Sequence, residues 1–422
     1  MNPWLTILGI GDRGNLSSTH LTLLTQATLM VGGDRHLKLL RQNHPTLTAP
    51  TLCWSTPIQT SITELLTHRH HPVCILASGD PLCYGIASTL LKQIPFEEMQ
   101  IIPHLSAFTL ASARLGWSYP DIETLSLCGR DLNLLRAVLY PNAKILILSA
   151  DRNTPHAVAK LLTHCGYGET QLTILEHLDG PTERQFSQRA DQWTAPDCAQ
   201  LHTLALHCPP HPITTLTYRS PGLPDFAYQH DGQLTKSEIR SLTLAALAPY
   251  PGALLWDVGA GCGSISIEWM RTHPRCRAIA LESHPARLQS IAHNANTLGV
   301  PNLEIRSGRA PESLQNLPQP DVIFIGGGLT RSGVFETCWD ALRLGGRLVA
   351  NGVTLESESK LFELQQHYGG QLTRISIQRA EPIGSFLGWK SLSPITQWMV
   401  EKGGIVEKGV HASSYQVPSV VS

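Results

Sequence analysis

Apolar residues in this chain come in short blocks separated by stretches with helical spacing. In the first half the blocks fall at residues 4–10, 27–31, 73–77, 100–103, 124–127, 144–149, 172–175 and 201–206. Between them, residues 84–93, 107–115 and 156–165 repeat apolar positions every three to four residues and predict helices. Strands alternating with helices imply a mainly parallel sheet covered by helices. Proline then crowds into Cys208-Pro209-Pro210-His211-Pro212 and Ser220-Pro221-Gly222-Leu223-Pro224, which reads as a linker near residues 209–228. The pattern restarts after it. Thr235 is placed to cap a helix running through Ala248, with Glu238 completing a capping box. Strands are predicted at 254–258, 277–281, 303–306, 322–325 and 346–350, and residues 372–378 and 395–400 would close the sheet as a hairpin. A frayed tail is expected beyond Lys402. The expected fold class is therefore α/β in two domains, 1–210 and 226–402, each burying its own core.

Composition narrows the function. The chain has 422 residues, 15% of them charged and 42% apolar, and a formal net charge of -1. No global field would recruit nucleic acid or an anionic membrane. The N-terminus lacks the basic and apolar regions of a signal peptide, and no run of 18 apolar residues exists, so a cytoplasmic location is expected. The ten cysteines include no Cys-x-x-Cys, which favours reduced, mostly buried thiols. The groups His207-Cys208…His211 and His68-x-His70-His71 sit beside prolines, and no metal is expected.

Chemistry concentrates where strands meet helices. Asp257-Val258-Gly259-Ala260-Gly261-Cys262-Gly263 joins a strand to a helix, and the next strand ends in Glu282, 19 residues after Gly263. Glycines there let the backbone approach a ligand, and a carboxylate at that distance can accept from both ribose hydroxyls of an adenosine. A dinucleotide fingerprint would need a third glycine where Ser264 or Ser266 stands. The tighter G-x-G-x-G suits S-adenosyl-L-methionine, with Asp257 supporting the loop or reaching the methionine ammonium. Ile325-Gly326-Gly327-Gly328 carries no proline-aromatic clamp for a flipped base and leaves an open floor for a broad, flat substrate.

The first half offers Gly9-Ile10-Gly11-Asp12-Arg13-Gly14, a G-x-G-x-x-G run with Asp34 20 residues after Gly14. That pattern alone would support a nicotinamide. The helix caps, Ser17 or Ser18, come too late for one. Gly79-Asp80-Pro81 follows the strand at 73–77; Asp80 would cap the next helix or order a cofactor loop.

Several motifs in order resemble the decarboxylating precorrin methyltransferases of cobalamin synthesis over residues 230–402. They are Thr235-Lys236-Ser237-Glu238-Ile239-Arg240, Trp256-Asp257-Val258-Gly259-Ala260-Gly261, Phe324-Ile325-Gly326-Gly327-Gly328, Val349-Ala350-Asn351-Gly352-Val353-Thr354-Leu355-Glu356, Arg379-Ala380-Glu381-Pro382 and Pro394-Ile395-Thr396-Gln397-Trp398. The resemblance implies a Rossmann-like domain with cofactor contacts at Thr235, Gly259, Ala260, Gly261, Cys262, Gly263, Glu282 and Ala310. Gly32-Gly33-Asp34-Arg35-His36-Leu37, Leu76-Ala77-Ser78-Gly79-Asp80-Pro81-Leu82 and Leu127-Cys128-Gly129-Arg130 resemble the C5-methylating tetrapyrrole methylases over residues 4–205. There the implied cofactor contacts are Gly9, Gly11, Gly79 and Asp80.

Together the two resemblances imply a methyltransferase that uses S-adenosyl-L-methionine twice, methylates an anionic precorrin at C5 and C15, and removes carbon dioxide from its C12 acetate. Arg35, His36, Arg114, Arg130, Arg309 and Arg379 are candidate clamps for the substrate carboxylates. Glu238 or Glu381 is available to move a proton, but no spacing singles out a catalytic residue. A homo-oligomer is compatible with the sequence. The alternatives are a fused nicotinamide reductase and methyltransferase, or a tetrapyrrole-binding scaffold with one active domain.

Overall fold

The structure, a computed structural model, describes residues 3–194, 197–211 and 219–403. Residues 212–218 of the expected linker and the expected tail from residue 404 on lie outside the described residues. The chain divides into two compact units, Met1–Leu132 with Val138–Thr215, and Asn133–Ala137 with Leu216–Ser422.

The first unit opens with β1 (Leu5–Ile10), α1 (Ser18–Gln26), β2 (Leu29–Gly32), α2 (Asp34–Asn43), β3 (Thr51–Cys53), α3 (Ile58–Thr67), β4 (Val73–Ser78), α4 (Ile86–Leu90) and β5 (Met99–Ile102). Its strands form a parallel sheet in the order β3-β2-β4-β1-β5. Alternate side chains feed two cores. Leu5, Ile7, Val31, Val73 and Ile75 pack on one face, and Leu8, Ile10, Met30, Cys74 and Leu76 on the other. Burial on both faces explains the unbroken apolar run of β4. The helix expected over 84–93 shrinks to five residues. Tyr84 has φ +54, and a Cβ on Gly85 would lie 2.4 Å from the Pro81 carbonyl oxygen, so the backbone cannot coil earlier.

The rest of the unit departs from the expected parallel sheet. After α5 (Ala107–Leu115), β6 (Glu123–Ser126), β7 (Lys144–Leu148), α6 (Thr154–His164), β8 (Gln171–Glu176), β9 (Arg184–Arg189) and β10 (His202–His207) build a second sheet, β6-β7-β10-β8-β9. Only β6 and β7 run parallel. The link from β8 to β9 is too short for a crossover, so those strands must be antiparallel.

The second unit follows α7 (Ser237–Leu247), β11 (Leu254–Val258), α8 (Ser264–Thr272), β12 (Arg277–Glu282), α9 (Pro285–Thr297), β13 (Glu304–Ser307), β14 (Val322–Ile325), α10 (Val334–Ala341), β15 (Arg347–Gly352) and α11 (Leu355–Tyr368). It ends with β16 (Gln371–Ile375), β17 (Gln378–Ile383), β18 (Phe386–Ser391) and β19 (Ile395–Glu401). The sheet order is β13-β12-β11-β14-β15-β19-β16, with β19 antiparallel to both neighbours. The expected closing pair does form. However, β19 inserts between β15 and β16, and a separate hairpin of β17 and β18 occupies the connection. Strand order reverses between β11 and β14, which opens a crevice at the carboxyl ends of those strands.

The predicted capping box is absent. Helix α7 starts at Ser237 behind Lys236, whose ammonium has no acceptor to offer as a cap, and Glu238 accepts from Arg379 instead.

Candidate functional site

The loop after β11 has Gly259, Gly261 and Gly263 at φ +75, +61 and +81, left-handed values that favour glycine. A Cβ on Gly259 would stand 2.8 Å from the Gly327 backbone nitrogen. The glycine run after β14 therefore lets two loops touch, beyond leaving an open floor. Gly263 leads into α8, and Asp257 accepts from the Ser266 N–H (3.1 Å) and from its hydroxyl. The carboxylate thus satisfies an orphan donor in the first turn of the helix and supports the loop.

Asp257 is fully buried, and burial lifts its carboxyl from the usual 3.8 to about 6. The folded state therefore holds this proton more tightly than the unfolded chain. Stability from the group is complete below about pH 4 and lost as pH rises through about 6, some ~3 kcal/mol in all. Asp257→Asn removes that titration. In denaturant unfolding, its stability relative to the parent should rise by about that amount between pH 4 and 7; a pH-independent difference would dismiss the assignment.

At the end of β12, Glu282 accepts from Gly261 N–H (2.9 Å) with Oε2, and from Ser283 (2.7 Å) and His284 (2.9 Å) N–H with Oε1. The glycine loop is thereby fastened to the neighbouring strand. Around this join lies a cleft of about 890 Å³ walled by Thr235, Gly259, Ala260, Gly261, Cys262, Glu282 and Ala310, together with Leu281, Phe324 and Gly326 to Gly328. Of the residues implied for this half, only Gly263 stands behind the wall, packed against Ile291. Burial raises the Cys262 thiol to about 11, so it is not a thiolate nucleophile.

The segment carrying Thr235 is held by a network that no local spacing announces. Fully buried Arg240 donates to buried Glu268 (2.8 Å), to Asp225 (3.2 Å) and to the carbonyls of Thr235 and Leu223. Glu268 also accepts from Gly222 and Leu223 N–H and from the Tyr228 hydroxyl. Arg379 bonds Glu238 and Asp225, so it is not a free clamp for substrate. It holds the Glu238 carboxyl down at about 2, too acidic to carry a proton near neutrality. Glu381 pairs with Lys390 across the hairpin. In the cleft wall, Lys236 and Arg309 make no ion pair among the described residues.

The first unit has a crevice of about 400 Å³ whose wall includes Gly11, Gly79 and Asp80. Gly9 lies beneath it. A Cβ there would meet the Gly79 carbonyl oxygen at 2.0 Å, so Gly9 serves loop packing and makes no wall. Asp80 caps no helix; it accepts from Leu82 N–H (2.8 Å) and orders the turn after β4. Helix α1 begins at Ser18 under a Ser17 cap, and Asp34 pairs with Lys38 on the surface, so the nicotinamide fingerprint is not assembled.

Side chains singled out as clamps are engaged here too. Arg35 donates to Asp12 (2.6 Å) and Ser78 (3.0 Å), and Arg114 pairs with Glu183. Arg130 lies over the Tyr84 ring. His36 contacts Ser78 at 2.8 Å, and burial, reinforced by Arg35, lowers it to about 4, so it stays neutral. Sequence reasoning passed over His177, whose Nδ1 lies 3.1 Å from Asp12. All ten cysteines are free, and among the described residues no cluster of three His, Cys, Asp or Glu side chains is placed to hold a metal. No described helix is long and apolar enough to cross a membrane.

Comparison with known proteins adds an independent line. Residues 226–402 match the family model "Precorrin methyltransferase domain", and residues 8–192 match "Tetrapyrrole (Corrin/Porphyrin) Methylases". A precorrin-6Y C(5,15)-methyltransferase [decarboxylating] of Sinorhizobium sp is 42% identical, covering 96% of this chain and 97% of its own length. Its counterpart in Mycobacterium tuberculosis is 40% identical, covering 94% of this chain and 100% of its own. The crystal structure of the C-terminal domain of precorrin-6Y C5,15-methyltransferase from Rhodobacter capsulatus is 45% identical, covering 44% of this chain and 100% of that chain, with a TM-score of 0.42.

Proposed function

The chain belongs to the precorrin-6Y C(5,15)-methyltransferase [decarboxylating] family and is a methyltransferase, and from that premise we propose that it methylates an anionic precorrin of cobalamin biosynthesis at C5 and C15 and removes carbon dioxide from the C12 acetate. The methyl donor is S-adenosyl-L-methionine, whose sulfonium supplies an already activated methyl group. Residues 226–402 carry C15 methylation and decarboxylation, and residues 1–210 carry C5 methylation. A cytoplasmic location follows from this biosynthetic role.

The observation that carries the reading is the join between Glu282 and the glycine loop. Each carboxylate oxygen can accept twice, and the backbone uses both places on Oε1 and one on Oε2. One acceptor place is left for a ribose hydroxyl at the wall of the cleft. Thr235, Gly259 to Gly263 and Ala310 complete the adenosine site. In the first unit Gly11, Gly79 and Asp80 line the second donor site, and Gly9 lets its loops close. Lys236 and Arg309 suit substrate carboxylates, while apolar Leu281 and Phe324 exclude water. The protein's main task is to align an electron-rich ring carbon with the methyl group. Moving the acetate out of water favours loss of carbon dioxide as the conjugated ring accepts the electron pair.

Calorimetric titration of the full chain with S-adenosylhomocysteine tests the proposal. Two equivalents are expected. One equivalent plus saturable NADH binding would instead make the first half a nicotinamide reductase. One equivalent alone would leave a scaffold with a single active domain.

A further inference from the structure

In the first unit's crevice, an imidazole, a carboxylate and a guanidinium are assembled from elements far apart in sequence. His177 follows β8 and Asp12 follows β1, so the contact joins the two sheets of the unit. A carboxylate only accepts; at 3.1 Å from Asp12 Oδ2, His177 Nδ1 must therefore carry the proton and donate it. In the neutral ring Nε2 then keeps its lone pair, and among the described residues it makes no hydrogen bond. His177 and Asp12 both line the crevice.

Two further features accompany this contact. His177 has φ +46, a left-handed conformation that costs a non-glycine residue energy and collects at functional sites. A Cβ on Gly180 would lie 2.4 Å from Asp12 Oδ2, so only glycine lets the turn after β8 approach that carboxylate. Arg35 then fixes the other oxygen of Asp12 (2.6 Å) while bonding Ser78. The charged and titratable groups near His177 include Asp12, Arg13, Arg35 and His36 from the first sheet's loops and Glu176 and Asp179 beside its own turn, and the same crevice is lined by Asp80, Cys83, Tyr84, Cys128 and His202.

We propose that His177 Nε2 takes up the proton released when the first unit methylates its substrate, with Asp12 as the positioning residue. The inference rests on the methyltransferase reading of that unit. The π pair of the ring carbon forms the bond to the methyl carbon as the methyl–sulfur bond breaks, and that bond's electron pair stays on sulfur as the thioether. The ring is left one positive charge richer. Loss of a proton from the methylated ring system to His177 Nε2 returns the substrate to its starting charge, and the imidazolium faces the Asp12 carboxylate. Water later removes the proton. The arrangement is that of a general base held in one tautomer by a carboxylate.

The test uses the full chain with His177→Gln, His177→Ala and Asp12→Asn. Single-turnover methylation is followed by mass spectrometry with the methyl position assigned, and S-adenosylhomocysteine affinity is measured by calorimetry. Both His177 variants should lose at least ~100-fold in C5 methylation, the scale of a lost general base, with donor affinity within about threefold of the parent. Added imidazole should restore part of the rate of His177→Ala, which a merely structural role would not allow. Asp12→Asn should lower the rate, and nitrogen NMR should show the proton on His177 leaving Nδ1, a readout independent of turnover. C5 methylation by His177→Gln at the parental rate, or a proton on Nε2 in the parent, overturns the inference. If the parent itself binds no donor in this unit or leaves C5 unmethylated, the methyltransferase reading of the unit falls, and this inference with it.

Discussion

Replacing Arg240 by alanine is expected to destabilise the second unit by about 3–5 kcal/mol, the scale seen when one partner of a buried ion pair is removed. Arg240 has no exposed surface and Glu268 is 2% exposed, so the carboxylate would stay in the interior without its cation. Gly222, Leu223 and Tyr228 would still donate to it, but Asp225 and the Thr235 and Leu223 carbonyls would lose a donor. The Tyr228 ring would lose the guanidinium 4.7 Å from its centre. Hydrogen exchange in increasing denaturant, read peptide by peptide, should show the loss across residues 222–401 and none in β1 to β5. Arg240→Lys should fall between, since an ammonium cannot reproduce the guanidinium's spread of donors. A loss below about 1 kcal/mol would mean that the network contributes little to folding.

The second large effect concerns the proposed donor site. Glu282→Ala removes a charged acceptor for ribose, worth roughly 1.5–3 kcal/mol, and frees Gly261 from the β12 end. S-adenosylhomocysteine affinity at one of the two sites should fall at least ~10-fold while the other is unchanged. Glu282→Gln keeps an acceptor oxygen and should fall less. Unchanged calorimetry for Glu282→Ala would remove this residue from the site.

Much of this was legible in the chain, for identifiable reasons. The apolar run at 73–77 lies in a strand buried on both faces, and residues 254–258 followed by three glycines could hardly be other than a strand and a tight turn. Strand β9 was missed because Arg-Gln-Phe-Ser-Gln-Arg has one apolar residue on an exposed sheet edge. The hairpin of β17 and β18 was missed similarly, since its Phe386, Leu387 and Trp389 are exposed and show no core-facing alternation. Glu238 matched a local capping rule, yet its partner Arg379 lies 141 residues away. Arg240 with Glu268, and Asp12 with His177, are likewise long-range pairs. Spacing along a chain reports what one element does to itself, and says little about which distant charge will neutralise another.

Both units share a topology with a consequence for synthesis. In each, the last strand of a sheet takes an interior place: β10 between β7 and β8, and β19 between β15 and β16. On the ribosome, β8 and β16 therefore emerge before the strand that joins them to the rest of their sheets. Trp398 and Val400 complete an apolar core that already contains Leu348 and Ala350. At ~5–20 residues per second, the second unit's sheet waits on the order of ten seconds between its first strand and its last. During that interval the edge of β15 stays unpaired, so slowing translation ahead of residue 395 is expected to raise misassociation of the nascent chain.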